Sequence, residues 1–205
     1  MLVTSTGNYW LRSSAGAGAT AYRSPFRRTH RTPPPAIPSD RLNWFDYTPT
    51  DAVPDAFDDK KGYRCPVGSH IRRANPRSSR VAGDNGHKRR ILRRGLPYGP
   101  PFDPSNPDDG IERGLLGMFI CASLRDQFEF LMEDWVNKGD FAPGLRPTKD
   151  PMIGANEPGE SLFKIARPKP DTAIKIRGFS RFVTTRGGAY CFFPSLPALR
   201  YIAGL

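Results

Sequence analysis

"CPVGSHIRRANPR", Cys65 to Arg77, sets one histidine between a Cys-Pro turn and a cluster of arginines, in a chain with three histidines in all. A lone histidine is ordinarily a satisfied structural or surface residue, so the role of His70 has to be read from its surroundings. The basic character continues downstream. From His70 to Arg94 nine Lys or Arg residues face only Asp84, and five arginines with no acid precede Asp40. These two segments hold more than the entire formal net charge of +11. The basicity is therefore local, and the remainder of the chain is slightly acidic.

A length of 205 residues suits one domain, while 38% hydrophobic residues and 22 prolines imply a large loop fraction. No apolar run approaches the ~18 residues of a membrane span, which predicts a soluble protein without membrane contacts. The N-terminus has no continuous apolar core of a secretory signal, so a cytoplasmic location is expected, although its Arg/Ser-rich, acid-free composition also resembles an organellar transit peptide. Cys65, Cys121 and Cys191 are odd in number and widely spaced, which fits a reducing compartment. The absence of any C-x-x-C excludes most zinc folds and covalent attachment of c-type haem.

Three regions follow from composition. Residues 1–40 read as a disordered basic tail without hydrophobic periodicity, and 41–64 as an extended, proline-punctuated connector with aromatic contacts at Trp44, Phe45 and Tyr47. Residues 65–205 carry the folded domain. Within it "RGLLGMFICAS" is a short apolar run typical of a buried strand. "SLRDQFEFLMEDWVNK" places Leu124, Phe128, Leu131 and Trp135 at helical steps, with Ser123 as N-cap and Asp126 three residues on. "AIKIRG" and "RFVTTRGGAYCFFPS" read as strands, the second as a hairpin turning at Gly187-Gly188, and Ser195 starts a short final helix. This order predicts an α+β fold: a ferredoxin-like antiparallel sheet with helices on one face.

The blocks "CPVGSHIRRANPR", "RRILRRGLPYG", "GIERGLLGMF", "SLRDQFEF", "DPMIG" and "TTRGGAYCFFPSLPALR" occur in this order over roughly residues 45 to 205. Together they resemble the C-terminal half of the dye-decolorizing (DyP-type) haem peroxidases. That resemblance implies one half of a two-unit dimeric α+β barrel that binds haem b. His70 then matches the proximal iron ligand, with Cys65 as the fallback. An acid accepting from Nδ1–H makes an axial imidazole more electron-rich, and Asp150 is the candidate, although an ordinary loop aspartate before proline would look the same. Arg93 matches the distal arginine, whose cation stabilises the charge that grows as a peroxide bond breaks. Arg94 is its internal comparison, expected to face away from the pocket. Arg77 matches an arginine near a haem propionate. Arg73, Arg80 and Lys88 to Arg90 read as solvated surface.

Two departures stand out. The family's proton-transferring aspartate lies in a G-x-x-D-G motif that these residues lack; "NPDDG" at 106–110 has no first glycine. The chain thus reads as a truncated peroxidase, and a noncatalytic haem-binding protein or a fragment of a longer peroxidase remain alternatives. Gly117 also stands where many relatives have a large residue. The resemblance implies hydrogen peroxide and an organic electron donor as partners, with Tyr98, Trp135 and Tyr190 as candidate electron relays. An unpaired half-sheet invites self-association or pairing with a missing N-terminal half. Nucleic-acid binding is the competing reading of the charge, but no aromatic interleaving or recognition-helix pattern accompanies it.

Overall fold

A computed structural model describes residues 2–6, 45–54, 58–79, 86–106, 108–169 and 172–204. The architecture is a small α+β arrangement in which antiparallel strands lie beside a helical layer. Strands β1 (Leu2–Thr6), β2 (Leu92–Tyr98), β3 (Gly114–Ile120) and β6 (Thr184–Ala189) form one sheet in the order β2-β3-β1-β6. Strands β4 (Leu162–Ile165) and β5 (Ile174–Arg177) form a separate antiparallel pair. The helices are α1 (His70–Ala74), the segment α2 (Leu124–Glu129 and Leu131–Asn137, joined through Phe130) and α3 (Leu196–Ala203). Among the described residues no helix is long and apolar enough to cross a membrane.

The apolar run Gly114–Ile120 becomes an interior strand, paired on both sides. Its neighbour β2 escapes a reading by hydrophobic pattern because Arg93, Arg94 and Pro97 interrupt it. Pro97 is tolerated because β2 is an outer strand of the sheet, where a missing N–H can face away from the ladder.

Two expectations fail here. Leu2–Thr6, assigned to a disordered tail, instead lies between β3 and β6 with antiparallel partners on each side; residues 7–44, including Trp44, lie outside the described residues. Gly187 and Gly188 do not form a hairpin turn. They sit inside β6 opposite Thr4 and Val3, beside a register shift at which Thr4 faces Gly187 and Ser5 faces Thr185. Glycines within a strand mark such bulges as readily as turns.

Helix α2 forms where its periodicity predicts, and the Ser123 hydroxyl accepts from the Asp126 N–H at 3.2 Å. Its turns are wider than expected, π-type, with the Phe130 N–H reaching the Arg125 carbonyl. Ser195 likewise caps α3, accepting from the Ala198 N–H at 3.4 Å. The buried core is centred on α2 and the loop after it: Leu131, Trp135, Phe141, Ala142 and Leu145, with Val67, Ile91 and Phe130 against it. Trp135 meets Phe130 and Phe141 edge-on at 5.5 and 6.0 Å. At 5% exposure Trp135 is a core residue, which removes it as a surface electron relay. Tyr98 and Tyr190 are exposed.

Strand alternation sorts the β2–β3 ribbon into two faces. Arg93, Gly95 and Pro97 pair with Phe119, Gly117 and Leu115, and the Phe119 ring lies 5.3 Å from Phe128 of α2. Leu92, Arg94, Leu96 and Tyr98 belong to the opposite face with Met118 and Ile120, where Leu92 and Leu96 are 64% and 52% exposed. Helix α3 also leaves Leu196, Tyr201 and Ile202 exposed.

Candidate functional site

His70 begins α1, a single turn whose backbone is held by the Arg72 and Arg73 N–H groups donating to the Ser69 carbonyl. Eighty residues later, the loop after the core delivers Asp150 to the same place. His70 Nδ1 lies 3.0 Å from Asp150 Oδ2, with the imidazole 27% exposed and the carboxylate fully buried. The other carboxylate oxygen, Oδ1, accepts from the Met152 and Ile153 N–H groups at 2.8 and 3.0 Å. The Asp150 N–H in turn donates to the Val136 carbonyl at the end of α2. Burial pushes the Asp150 carboxyl up, but the hydrogen bond and charge of His70, with the Ile153 and Met152 N–H groups, outweigh it and hold the group below its ordinary value. An ionised Asp150 fixes the proton on His70 Nδ1 and leaves the Nε2 lone pair for a ligand.

Gly154 is what allows the chain to wrap this carboxylate. A Cβ there would fall 2.5 Å from the Asp150 carbonyl oxygen and 3.0 Å from its nitrogen, both backbone atoms that cannot swing aside. We expect Gly154→Ala to destabilise the fold by about 1–3 kcal/mol and to loosen the His70–Asp150 contact, checked by denaturant unfolding; unchanged stability would show that the turn has slack.

The depressed Asp150 value also has a signed pH consequence. The stabilisation is present at neutral pH and drains away as the pH falls below about 4, the ordinary aspartate value, and through the lower folded value. Asp150→Asn should therefore be less stable than wild type at neutral pH, with the gap closing in acid. A gap that is constant with pH, measured by unfolding across this range, would mean that the carboxylate is not ionised in the folded state.

The arginines behind His70 are internal. Arg73, expected on the surface, is fully buried: Nε donates to Gly68 O at 3.0 Å, Nη1 to Trp135 O at 2.7 Å, and Nη2 to Thr148 O and Oγ1, both at 2.8 Å. Arg72 is equally buried but points to the connector, donating to Cys65 O at 2.7 Å and Asp59 O at 2.8 Å, with Asp59 Oδ2 at 3.3 Å and the Tyr47 ring below it at 4.2 Å. Arg89, also expected to be solvated, donates to Asp126 O at 2.6 Å and lies over Phe130 at 3.9 Å. Lys88 and Arg90 are exposed, and Arg80 lies outside the described residues. Composition missed the buried Arg72 and Arg73 because arginines rarely bury unless paired, and most of their partners here are backbone carbonyls that no sequence pattern displays.

Arg77 has a left-handed backbone, φ 49°, uncommon for a residue with a side chain. Its Nη1 donates to the Phe45 carbonyl at 2.9 Å and its guanidinium stacks 3.8 Å over the Phe45 ring. Cys65 is buried, with its thiol 3.5 Å from Ser69 Oγ; burial raises its pKa above the ordinary thiol value. Those conditions suit an inert thiol better than a thiolate ligand. Asp109 is ion-paired to Arg113, whose hydrogen bond holds the carboxyl down to about 2.

Among the described residues no group of three or more His, Cys, Asp or Glu side chains could hold a bare metal ion. A single, partly exposed imidazole tied at Nδ1 to a buried carboxylate is instead the kind of donor that could hold a haem iron through one nitrogen. The residues present fit that group.

No family model matches the chain. The chain is 34% identical over 154 residues to the dye-decolorizing peroxidase msp1 of Mycetinis scorodonius, covering 68% of this chain and 30% of that one. It is 34% identical over 153 residues to the multifunctional dye peroxidase of an Amycolatopsis species, covering 69% and 33%. Among solved structures, a fungal DyP-type peroxidase from Auricularia auricula-judae superposes with a TM-score of 0.55 at 27% identity, covering 74% of this chain and 35% of that chain. An ancestral D-type dye-decolorizing peroxidase gives 0.55 at 28%, covering 73% and 34%. The fold and this contact define an α+β protein in which a partly exposed histidine is held by a buried aspartate. By sequence and structure the chain belongs to the dye-decolorizing peroxidase family, and it spans about a third of the length of these relatives.

Proposed function

We propose that the chain carries the haem-binding part of a peroxidase that uses hydrogen peroxide to oxidise an organic donor, and that it corresponds to one ferredoxin-like unit of the family's two-unit barrel. His70 Nε2 would hold the iron of haem b, and Asp150 would orient the ring through Nδ1. Arg93 supplies the cation for charge developing on the departing peroxide oxygen, and Arg77 a guanidinium for a propionate. When bound, the haem supplies the redox chemistry. The protein's own work is to hold the imidazole, keep its proton on Nδ1 and place a cation on the helix-facing side of the sheet.

The observation that carries this reading is the 3.0 Å contact between His70 Nδ1 and Asp150, brought together across eighty residues. An ordinary loop aspartate would have no reason to bury its carboxylate against the one histidine that the family motif singles out. The charge supports this reading over nucleic-acid binding: Arg72 and Arg73 are buried, and Arg77 and Arg89 are tied to backbone carbonyls, so much of the basic run faces inward. Titrating haem into the purified chain should give a saturable, one-to-one Soret change. A spectrum that only follows free haem in solution would contradict the proposal.

A further inference from the structure

We infer that Arg73 is the positioning residue of the His70–Asp150 pair, setting through backbone carbonyls the hydrogen bond that tunes His70 Nε2 toward iron. This deepens the haem-ligation reading and rests on it. His70 and Arg73 stand at i and i+3 of α1, so both project from the same side of that single turn. The guanidinium then uses its fork on three chain segments, each one or two residues from His70, from Asp150 or from the carbonyl that receives the Asp150 N–H. Gly68 O lies in the turn that leads into His70. Trp135 O is adjacent to the Val136 carbonyl that receives the Asp150 N–H. Thr148, bonded through both O and Oγ1, stands two residues before Asp150.

No side-chain carboxylate is bonded to Arg73 in the described contacts, yet the side chain is completely buried and stacks 5.0 Å from the Phe141 ring. Burial pulls its pKa down to about 10, and the charge that acts against this is Asp150. A buried cation with no carboxylate bonded to it is costly to keep. Hydrophobic packing alone would be served by an apolar side chain, whereas a planar fork with fixed angles holds several strands of chain at set distances.

Arg72 provides the internal comparison. It belongs to the same turn and is equally buried, but its bonds run to Asp59 and Cys65 and none reaches the Asp150 loop. The test compares Arg73→Lys with Arg72→Lys in the full chain; each keeps the charge and loses the fork. In the haem-free protein, the His70 Nδ1–H resonance should be sharp and slow to exchange in wild type and in Arg72→Lys, and broadened or lost in Arg73→Lys. In the haem-loaded protein, Arg73→Lys should weaken haem affinity about 10- to 100-fold, as losses behind a metal-binding histidine do, and raise the ferric–ferrous potential, while Arg72→Lys lowers the melting temperature without moving the potential. Equal melting losses with an unchanged resonance and potential in both variants would overturn the inference. Should Arg73→Lys fail to fold, Thr148→Val removes only the Oγ1 bond, and the same readouts must move in the same direction by less; no movement would again overturn it. If His70 proves not to ligate iron, the haem reading falls, and the resonance in the haem-free protein still decides the role of Arg73.

Discussion

In the haem-loaded chain, Arg93→Ala is expected to slow the reaction with hydrogen peroxide about 100- to 1000-fold, the usual cost of a lost preorganised donor to developing charge, and Arg94→Ala to change it by less than about threefold. The two residues are neighbours of identical chemistry, so only their place in the strand separates them. Arg93 pairs with Phe119 on the face that meets α2, and Arg94 pairs with Met118 on the opposite face beside exposed Leu92 and Leu96. Stopped-flow measurement of the peroxide-induced Soret change reads the difference. The reverse order would put the haem against the other face of the sheet and invalidate the assignment of Arg93.

The second large effect concerns the proton. These 205 residues contain no G-x-x-D-G, and general acid–base help is worth about 100- to 10,000-fold. Dye oxidation by this chain alone should therefore be slow, and adding in trans a family N-terminal half that carries G-x-x-D-G should raise turnover by a factor within that range. The same half would exclude water from around Arg93. In this structure Arg93 is exposed, and a cation in a wet site loses much of its leverage. Fast turnover that the added half leaves unchanged would require another proton-transferring group in this chain. Asp109 is a poor choice, since Arg113 holds its carboxyl down to about 2; the neighbouring Asp108 would be the first to replace.

The contact between His70 and Asp150 was legible because its signals are local and ordered. The block around His70 singled out the histidine, "KDPMIG" offered Asp150 as its partner, and the structure brings the two within a hydrogen bond. The strand Gly114–Ile120 and the caps at Ser123 and Ser195 were equally readable, since hydrophobic runs and capping hydroxyls act within a few residues. The misreadings share a different origin. Arg73 looks like surface because charge predicts exposure, and its backbone partners at Gly68, Trp135 and Thr148 exist only once the chain has folded. β2 was hidden by its arginines and Pro97, and Leu2–Thr6 by a composition without apolar periodicity; both are strands because of the neighbours they pair with. Gly187-Gly188 carried a turn signal, but a strand with a bulge uses the same residues.

Ligation of iron by His70 is read most directly from the iron–imidazole stretch and Soret spectrum of the reconstituted ferrous protein, wild type against His70→Ala. We predict a histidine-ligated spectrum in wild type, its loss in the variant, and partial recovery when free imidazole is added. An unchanged stretch and Soret band in His70→Ala would contradict the account; a thiolate-type spectrum would do the same and move the ligand to Cys65.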